Sequence, residues 1–284
     1  MAERITGKTE LIGLFATPIR HSISPQMHNE AFQRLQLDYA YLAFEVGQEQ
    51  LPSAIQSIKT LGMRGANLSM PNKQLACHYM DYLSPAAKLA GAINTIVNDK
   101  GVLTGHITDG TGFMSGLLQE GIQIIGKKMT LLGAGGAATA ICIQAALDGV
   151  SSIAIFDRYP EKYKKKIATI KNETNCTIQI YDLADSAKLH LEVKNSAILV
   201  NATNVGMKPL ENETPIHDRS IFRKDLVVVD VIYTPRETIM LKQAREAGCQ
   251  TLNGLGMLLW QGAAAFQLWT GKEMPVAEIK ELLF

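Results

Sequence analysis

Net charge is nearly absent from this chain: 28 lysines and arginines face 27 aspartates and glutamates, a formal +1. Such a balance lacks the basic footprint of a nucleic-acid binder, so no nucleic-acid partner is expected. No apolar run approaches the ~20 residues that span a bilayer, so no membrane partner is expected either. The first ten residues are polar and hold no apolar core of a secretory signal. Cysteine is scarce: Cys77, Cys142, Cys176 and Cys249 stand apart with no C-x-x-C pair. That scatter reads as free thiols in a reducing compartment, and the expected location is cytoplasmic. His21, His28, His78, His106, His190 and His217 show no H-x-x-x-H spacing, so no metal ligand is assigned. No G-x-S-x-G elbow appears, which removes the usual sequence sign of an α/β-hydrolase. Low-complexity segments and internal repeats are absent as well.

What the chain does have is an ordinary globular composition, 46% hydrophobic and 19% charged, over 284 residues. That length suits two domains, each able to bury its own core. Residues 129–138, Met-Thr-Leu-Leu-Gly-Ala-Gly-Gly-Ala-Ala, are the feature around which the rest is arranged. A short apolar run ends in glycines and a helix-forming run follows. This is the strand, tight turn and helix start of a dinucleotide-binding unit, with the pattern G-x-G-x-x-A on Gly133, Gly135 and Ala138. Gly133 permits the sharp turn. Gly135, without a Cβ, lets a pyrophosphate approach the backbone. The unpaired N–H groups of the helix start would meet the phosphates. A glycine-rich turn that binds nothing is the alternative.

Upstream, residues 10–16, 39–46 and 63–69 read as strands. Helices are expected at 24–35, at 48–60 and from Pro71 through Leu83. Strand alternating with helix implies a mainly parallel α/β sheet. Ser24 with Pro25 reads as a helix cap and first turn. Asn98-Asp99-Lys100-Gly101 reads as a hairpin turn. A linking helix begins at Asp109, and six further strands follow the glycine turn in the manner of a doubly wound Rossmann fold. The helical tail from residue 255 is expected to return to the first domain. The expected boundaries are therefore 1–110, completed by 255–284, and 111–254.

Several residues invite a chemical reading beside a plain one. Asp157 ends the second strand of the Rossmann run, where a carboxylate accepts hydrogen bonds from ribose hydroxyls and repels a 2′-phosphate. Arg158 beside it can bind a phosphate or stack on adenine. NAD is read as the preferred cofactor, with NADP an accepted alternative. Lys73, read in the first turn of a helix, is either a surface lysine or an amine poised for proton transfer. Asp109 is either a helix cap or an acid–base group. Ser22 and Ser24 are turn residues or, beside a helix start, two hydroxyls that hold a substrate carboxylate. Met257, Trp260 and Trp269 read as core.

Together these stretches resemble the shikimate dehydrogenase family over essentially the whole chain. The resemblance is carried by Pro18 and Ser22-Ile-Ser24-Pro25, Pro71-Asn-Lys73, Gly91-Ala-Ile-Asn94-Thr, Thr108-Asp109-Gly110 and Gly133-Ala-Gly-Gly-Ala137. Asn201-Ala-Thr203 with Gly206-Met207, and Gly254-Leu-Gly256-Met257 through Gln261, complete it. Ser69-Met-Pro-Asn-Lys73-Gln and Leu258-Leu-Trp-Gln261-Gly are most similar to the quinate/shikimate branch. The resemblance implies an N-terminal substrate domain and a catalytic pair, Lys73 and Asp109. It implies Ser22 and Ser24 on the substrate carboxylate, Ser69, Asn94 and Gln261 on ring hydroxyls, and Tyr41 near the substrate. It implies Gly133, Ala134, Gly135, Gly136, Ala137, Asp157, Arg158, Thr203, Met207, Tyr233 and Gly256 along the dinucleotide. The implied activity is reversible hydride transfer between the C3 hydroxyl of shikimate or quinate and a nicotinamide, in aromatic amino-acid biosynthesis or quinate metabolism. Two departures stand out. Many members have Asn-Val-Thr at Asn67-Leu-Ser69, and Asn-Arg-Thr or Asn-Arg-Ser at Asp157-Arg-Tyr159. The first bears on shikimate against quinate, the second on strict NADP use. A dehydrogenase for another cyclic hydroxy acid, such as an aminoshikimate, and a non-catalytic dinucleotide sensor are the alternatives. Oligomeric state is left open, with a homodimer among the options.

Overall fold

A computed structural model describes residues 5–283. The first four residues of the polar N-terminal stretch and the last residue of the tail lie outside the described residues. The chain divides into two compact units, Met1–Thr108 with Leu259–Phe284, and Asp109–Leu258. No helix is long and apolar enough to cross a membrane among the described residues.

The first unit carries strands β1 (Glu10–Ala16), β2 (Tyr39–Glu45), β3 (Gly65–Leu68), β4 (Tyr82–Leu83), β5 (Thr95–Asp99) and β6 (Val102–His106). Helices α1 (Ser24–Arg34), α2 (Leu51–Thr60) and α3 (Pro85–Ala90) alternate with them. The strand order is β2-β1-β3-β5-β6-β4. β1 runs parallel to both β2 and β3, and β4 runs parallel to β6. The β5–β6 pair is antiparallel, a hairpin closed where Lys100 and Gly101 both take positive φ. β1 is apolar from Leu11 to Ala16, as suits a strand inside the sheet with neighbours on both sides.

The second unit is built on β7 (Lys128–Leu132), β8 (Ser152–Asp157), β9 (Thr177–Asp182), β10 (Ile198–Asn201), β11 (Val227–Asp230) and β12 (Gln250–Leu252). All its pairings are parallel, in the order β12-β11-β10-β7-β8-β9. This is the doubly wound order, whose reversal between β7 and β10 opens a crevice at the carboxyl ends of the strands. Its helices are α4 (Asp109–Gln119), α5 (Gly136–Leu147), α6 (Lys164–Asn172), α7 (Ser186–Lys194) and α8 (Ile239–Glu246). Helices α9 (Leu255–Thr270) and α10 (Val276–Leu283) close the chain.

From Leu259 onward the tail belongs to the first unit. Leu259, Ala263, Phe266 and Trp269 share a core with Ile12, Met27, Ala31, Phe32 and Tyr41. The Trp269 indole N–H donates to the Ile96 carbonyl at 2.9 Å, and Arg64 Nε donates to the Trp269 carbonyl at 2.8 Å. Trp269 is thus core, as its sequence setting suggested, while Met257 and Trp260 are half-buried.

Two local expectations fail. The helix expected from Pro71 through Leu83 is absent. A single 3-10 turn, Leu75–Tyr79, is followed by extended Met80 and by β4. The competing interaction is tertiary: Asp81 N–H donates to the Leu103 carbonyl, and its carboxylate accepts the Leu103 N–H at 2.7 Å. Sheet pairing pulls the segment straight, and Ser84 then caps the real helix α3 by accepting from the Ala87 N–H. Ser24 is likewise not a cap. It is the first helical residue, and its own N–H donates to the Ser22 hydroxyl at 3.2 Å.

Candidate functional site

In the first unit, Ser22, Ser24, Tyr41, Asn94 and Gln261 are joined by one chain of buried and half-buried polar contacts. Ser22 Oγ donates to Ser24 Oγ at 3.2 Å. The Ser24 side chain in turn meets the Tyr41 hydroxyl. That hydroxyl donates to Asn67 Oδ1 at 2.8 Å. Asn67 Nδ2 donates to the Asn94 carbonyl at 2.9 Å and to Thr95 Oγ1 at 3.0 Å. Asn94 Oδ1 accepts from Thr95 Oγ1 and from the Thr108 N–H, while its Nδ2 faces Thr108 Oγ1 at 3.0 Å and Gln261 Oε1 at 3.5 Å. The links join β1's following turn, β2, β3, β5 and α9. Each polar group is satisfied by another, which fixes the rotamers of the outer members.

Tyr41, expected near the substrate, has its hydroxyl against Ser24 and Asn67. It is wholly buried, so it supports Ser24 and Asn67 from beneath and presents no surface to a ligand. Its phenol pKa is raised by burial. His28 stacks on it at 4.5 Å and 16°. The His28 ring is completely buried, and neither nitrogen has a hydrogen-bond partner. Burial alone lowers its pKa to about 3, so the ring is neutral.

Lys73 sits in a turn ahead of the 3-10 segment, so no α-helix dipole acts on it and that expectation is withdrawn. Its half-buried position is set by the backbone. The Lys73 carbonyl accepts the Ile93 N–H at 2.8 Å, next to Asn94. The preceding Asn72 is wholly buried and donates to the carbonyls of Phe15 and Val46, at the ends of β1 and β2. Ser69 is half-buried at the end of β3, its N–H donating to the Phe15 carbonyl. Asp109 opens α4 in the second unit and is half-buried.

The second unit brings the predicted dinucleotide residues to the carboxyl ends of its strands. Gly133 has φ +93°, and a Cβ there would lie 3.0 Å from the Ala202 carbonyl oxygen, so glycine is required. A Cβ on Gly135 or Gly136 would meet nothing within 4 Å, so the turn leaves open space above its backbone. α5 begins at Gly136 with no side-chain cap, leaving its first N–H groups for a ligand. Asp157 accepts the Ala134 N–H at 2.9 Å and the Tyr159 N–H at 2.8 Å, so its carboxylate buttresses the turn. Arg158 and Lys162 both lie against the exposed Tyr159 ring, at 5.9 and 4.5 Å from its centroid. Thr203 donates from N and Oγ1 to Asn201 Oδ1. Met207 and Tyr233 are exposed, and Gly256 lies in the first turn of α9. This open glycine turn, its helix start and the adjoining carboxylate fit the diphosphate and ribose of a dinucleotide.

Sequence reasoning missed Asn67, Thr95, Thr108 and Asn72, and in the second unit Asn201, Asp230 and Thr238. One signal was available: asparagine is uncommon inside apolar strands, yet Asn67 and Asn201 sit in β3 and β10. No group of three or more histidines, cysteines, aspartates or glutamates able to hold a metal occurs among the described residues. All four cysteines are free.

Comparison with known proteins bears directly on these two sites. The family model described as the shikimate dehydrogenase substrate binding domain matches residues 14–96, and that of the shikimate 5′-dehydrogenase C-terminal domain matches residues 254–284. Shikimate dehydrogenase (NADP(+)) of Listeria innocua is 59% identical, over 100% of this chain and 99% of its own. A crystal structure of shikimate 5-dehydrogenase from Listeria monocytogenes, in complex with shikimate and NAD, superposes with a TM-score of 0.97 at 58% identity, covering 100% of this chain and 99% of that one. Quinate dehydrogenase from Corynebacterium glutamicum, in complex with NAD, reaches a TM-score of 0.85 at 29% identity, covering 96% and 98%.

Proposed function

Since the chain belongs to the shikimate dehydrogenase family, we propose that it oxidises the C3 hydroxyl of shikimate to the ketone and runs the reverse reduction. The full-length likeness to shikimate dehydrogenases carries this reading. A bound nicotinamide supplies the hydride acceptor. The chain's own residues do the rest. Ser22 and Ser24 hold the substrate carboxylate. Ser69, Asn94 and Gln261 take ring hydroxyls, and the buried chain through Tyr41 and Asn67 keeps Asn94 and Gln261 in place. Lys73 accepts the C3 hydroxyl proton as the ketone forms, with Asp109 as its acid–base partner. Fixed hydroxyl partners also give selectivity, because a buried polar group left unmatched by the wrong substrate is costly.

Gly133 to Ala137 cradle the pyrophosphate, Asp157 receives the adenosine ribose hydroxyls, and Arg158 lies beside the adenosine. Thr203, Met207, Tyr233 and Gly256 line the nicotinamide end. We read NAD as the favoured cofactor and NADP as an accepted one. Asp157 supports NAD, because its carboxylate repels a 2′-phosphate. The names of curated relatives support the opposite order. Quinate is the second substrate of the reading, supported by the quinate dehydrogenase relative and by Ser69 where many members have threonine. The setting we assign is the cytoplasm, in keeping with four free thiols. One experiment tests the substrate and cofactor readings: initial rates with shikimate and quinate, each against NAD and NADP. Turnover is expected with shikimate above quinate. Tight dinucleotide binding without turnover on either acid would overturn this reading in favour of a dehydrogenase for another cyclic hydroxy acid or a sensor.

A further inference from the structure

Asp230 lies at the carboxyl end of β11, is wholly buried, and touches neither the glycine turn nor the first unit's polar chain in any hydrogen bond among the described residues. Its carboxylate is filled with donors. Oδ1 accepts the Ile232 N–H at 3.0 Å. Oδ2 accepts Asn201 Nδ2 at 3.1 Å and the Thr238 hydroxyl at 2.8 Å. Asn201 extends the cluster: its Nδ2 also donates to the Val205 carbonyl, and its Oδ1 takes both donors of Thr203. Ile232 extends it the other way, its carbonyl accepting the Gly254 N–H at 3.0 Å. Gly254 has no room for a side chain, since a Cβ would fall 1.9 Å from the Val231 carbonyl oxygen. One carboxylate therefore ties together the loop carrying Thr203 and Met207, the loop carrying Tyr233, the N-terminus of α8 and the segment leading to Gly256.

We propose that Asp230, through Asn201 and Thr238, is the positioning residue that sets the nicotinamide end of the dinucleotide site. The inference rests on the dinucleotide reading of the glycine turn. Four of the residues assigned to that end hang from this one group, and none of them is held by regular sheet pairing. Two acceptor oxygens are needed as well as the shape. In Asp230→Asn, one oxygen becomes an NH2. If it faces Ile232, two N–H groups oppose each other. If it faces Asn201, two amide NH2 groups do. Either orientation breaks a link to one loop.

The test is direct titration of NADH and NADPH by fluorescence on the full chain, with steady-state constants measured alongside. Asp230→Asn is expected to raise the dinucleotide Kd and KM about tenfold or more while moving the shikimate KM far less. Glu192→Gln is the matched control. Glu192 is also a buried carboxylate of this unit, paired with Lys128 and Lys188 but tied to none of these loops. It is expected to lower Tm with the dinucleotide Kd unchanged. Thr238→Val is expected to reproduce part of the effect and Thr238→Ser to reverse it, and this pair decides the matter if Asp230→Asn does not fold. An unchanged Kd in folded Asp230→Asn overturns the inference, as does an equal rise in Glu192→Gln, or a Thr238→Val variant that binds like the parent. A parent chain that binds NADH but turns over no shikimate sinks the functional reading alone, because the Kd comparison still stands.

Discussion

The two candidate sites are held in place by different means. In the first unit, Ser22, Ser24, Asn94 and Gln261 owe their orientation to side chains bonded to other side chains, through Tyr41, Asn67, Thr95 and Thr108. In the second unit, the glycine turn owes its shape to backbone: a positive φ at Gly133, a close approach to Ala202, and the Ala134 N–H on Asp157. The difference follows from the ligands assigned to each. A pyrophosphate is met by N–H groups that every residue carries, so the turn needs room and direction more than side-chain chemistry. A ring with several hydroxyls and a carboxylate must be read group by group, which needs specific side chains with their partners fixed.

The largest expected effect tests the chemistry that the first unit supports. Lys73→Ala should lower kcat for shikimate by about 10²–10⁴-fold, the usual contribution of a positioned acid–base group. Dinucleotide affinity, measured by titration, should hold. Turnover within a few-fold of the parent would remove Lys73 from the mechanism.

His28 gives the next largest effect, on stability. Its folded pKa, about 3, lies below the ordinary histidine value near 6.5. The unfolded chain therefore binds the extra proton between those values. Stability present above pH ~6.5 is lost as pH falls toward ~3, by an amount on the order of a few kcal/mol. His28→Phe keeps the stack on Tyr41 and removes the titration. Its denaturant midpoint should fall less than the parent's between pH 7 and 4. Identical pH slopes would show that folded His28 takes up its proton as readily as it does in the unfolded chain.

A matched pair then probes the comparison itself. Asn67→Leu removes the acceptor of the Tyr41 hydroxyl and leaves that buried donor unpaired, at about 1–3 kcal/mol. The shikimate KM should rise while dinucleotide binding holds. Gly133→Ala forces a Cβ at φ +93°, costing about 1–2 kcal/mol, and should do the reverse. If each change weakens both ligands equally, the two sites are not separately built.

What could be read from sequence follows the same division. The glycine turn, Asp157 at the end of β8 and the alternation of strands and helices are local patterns, so spacing alone reached them. The chain of polar contacts is not local. Asn67 reaches Asn94 and Thr95 across 27 and 28 residues, and Asn94 reaches Gln261 across 167. No window of sequence holds such a pair. The failed helix after Pro71 has the same cause: Asp81 pairs with Leu103, 22 residues on, and tertiary pairing overrode a helical pattern of Leu75, Tyr79 and Leu83. Asp230 ends an apolar strand and was passed over because its side-chain partners, Asn201 at the end of β10 and Thr238 at the start of α8, lie 29 residues before it and 8 after it.

The smallest effect expected is also the one the structure reshapes most. From sequence, Asp157→Asn only relieves repulsion of a 2′-phosphate and improves NADP use. Both carboxylate oxygens of Asp157 are occupied, one by Ala134 N–H of the glycine turn and one by Tyr159 N–H. An asparagine can accept from only one of them, so the substitution also loosens the turn that both cofactors share. Absolute affinity for NAD should therefore fall. Affinity for NADP should fall less or rise, because removing the charge offsets the looser turn, with Arg158 and Lys162 close by on the Tyr159 ring. The ratio of kcat/KM for NADP over NAD is the quantity to measure, and it should rise about tenfold, the worth of one partly screened charge contact. An unchanged ratio with both affinities lowered would make Asp157 a prop for the turn and nothing more.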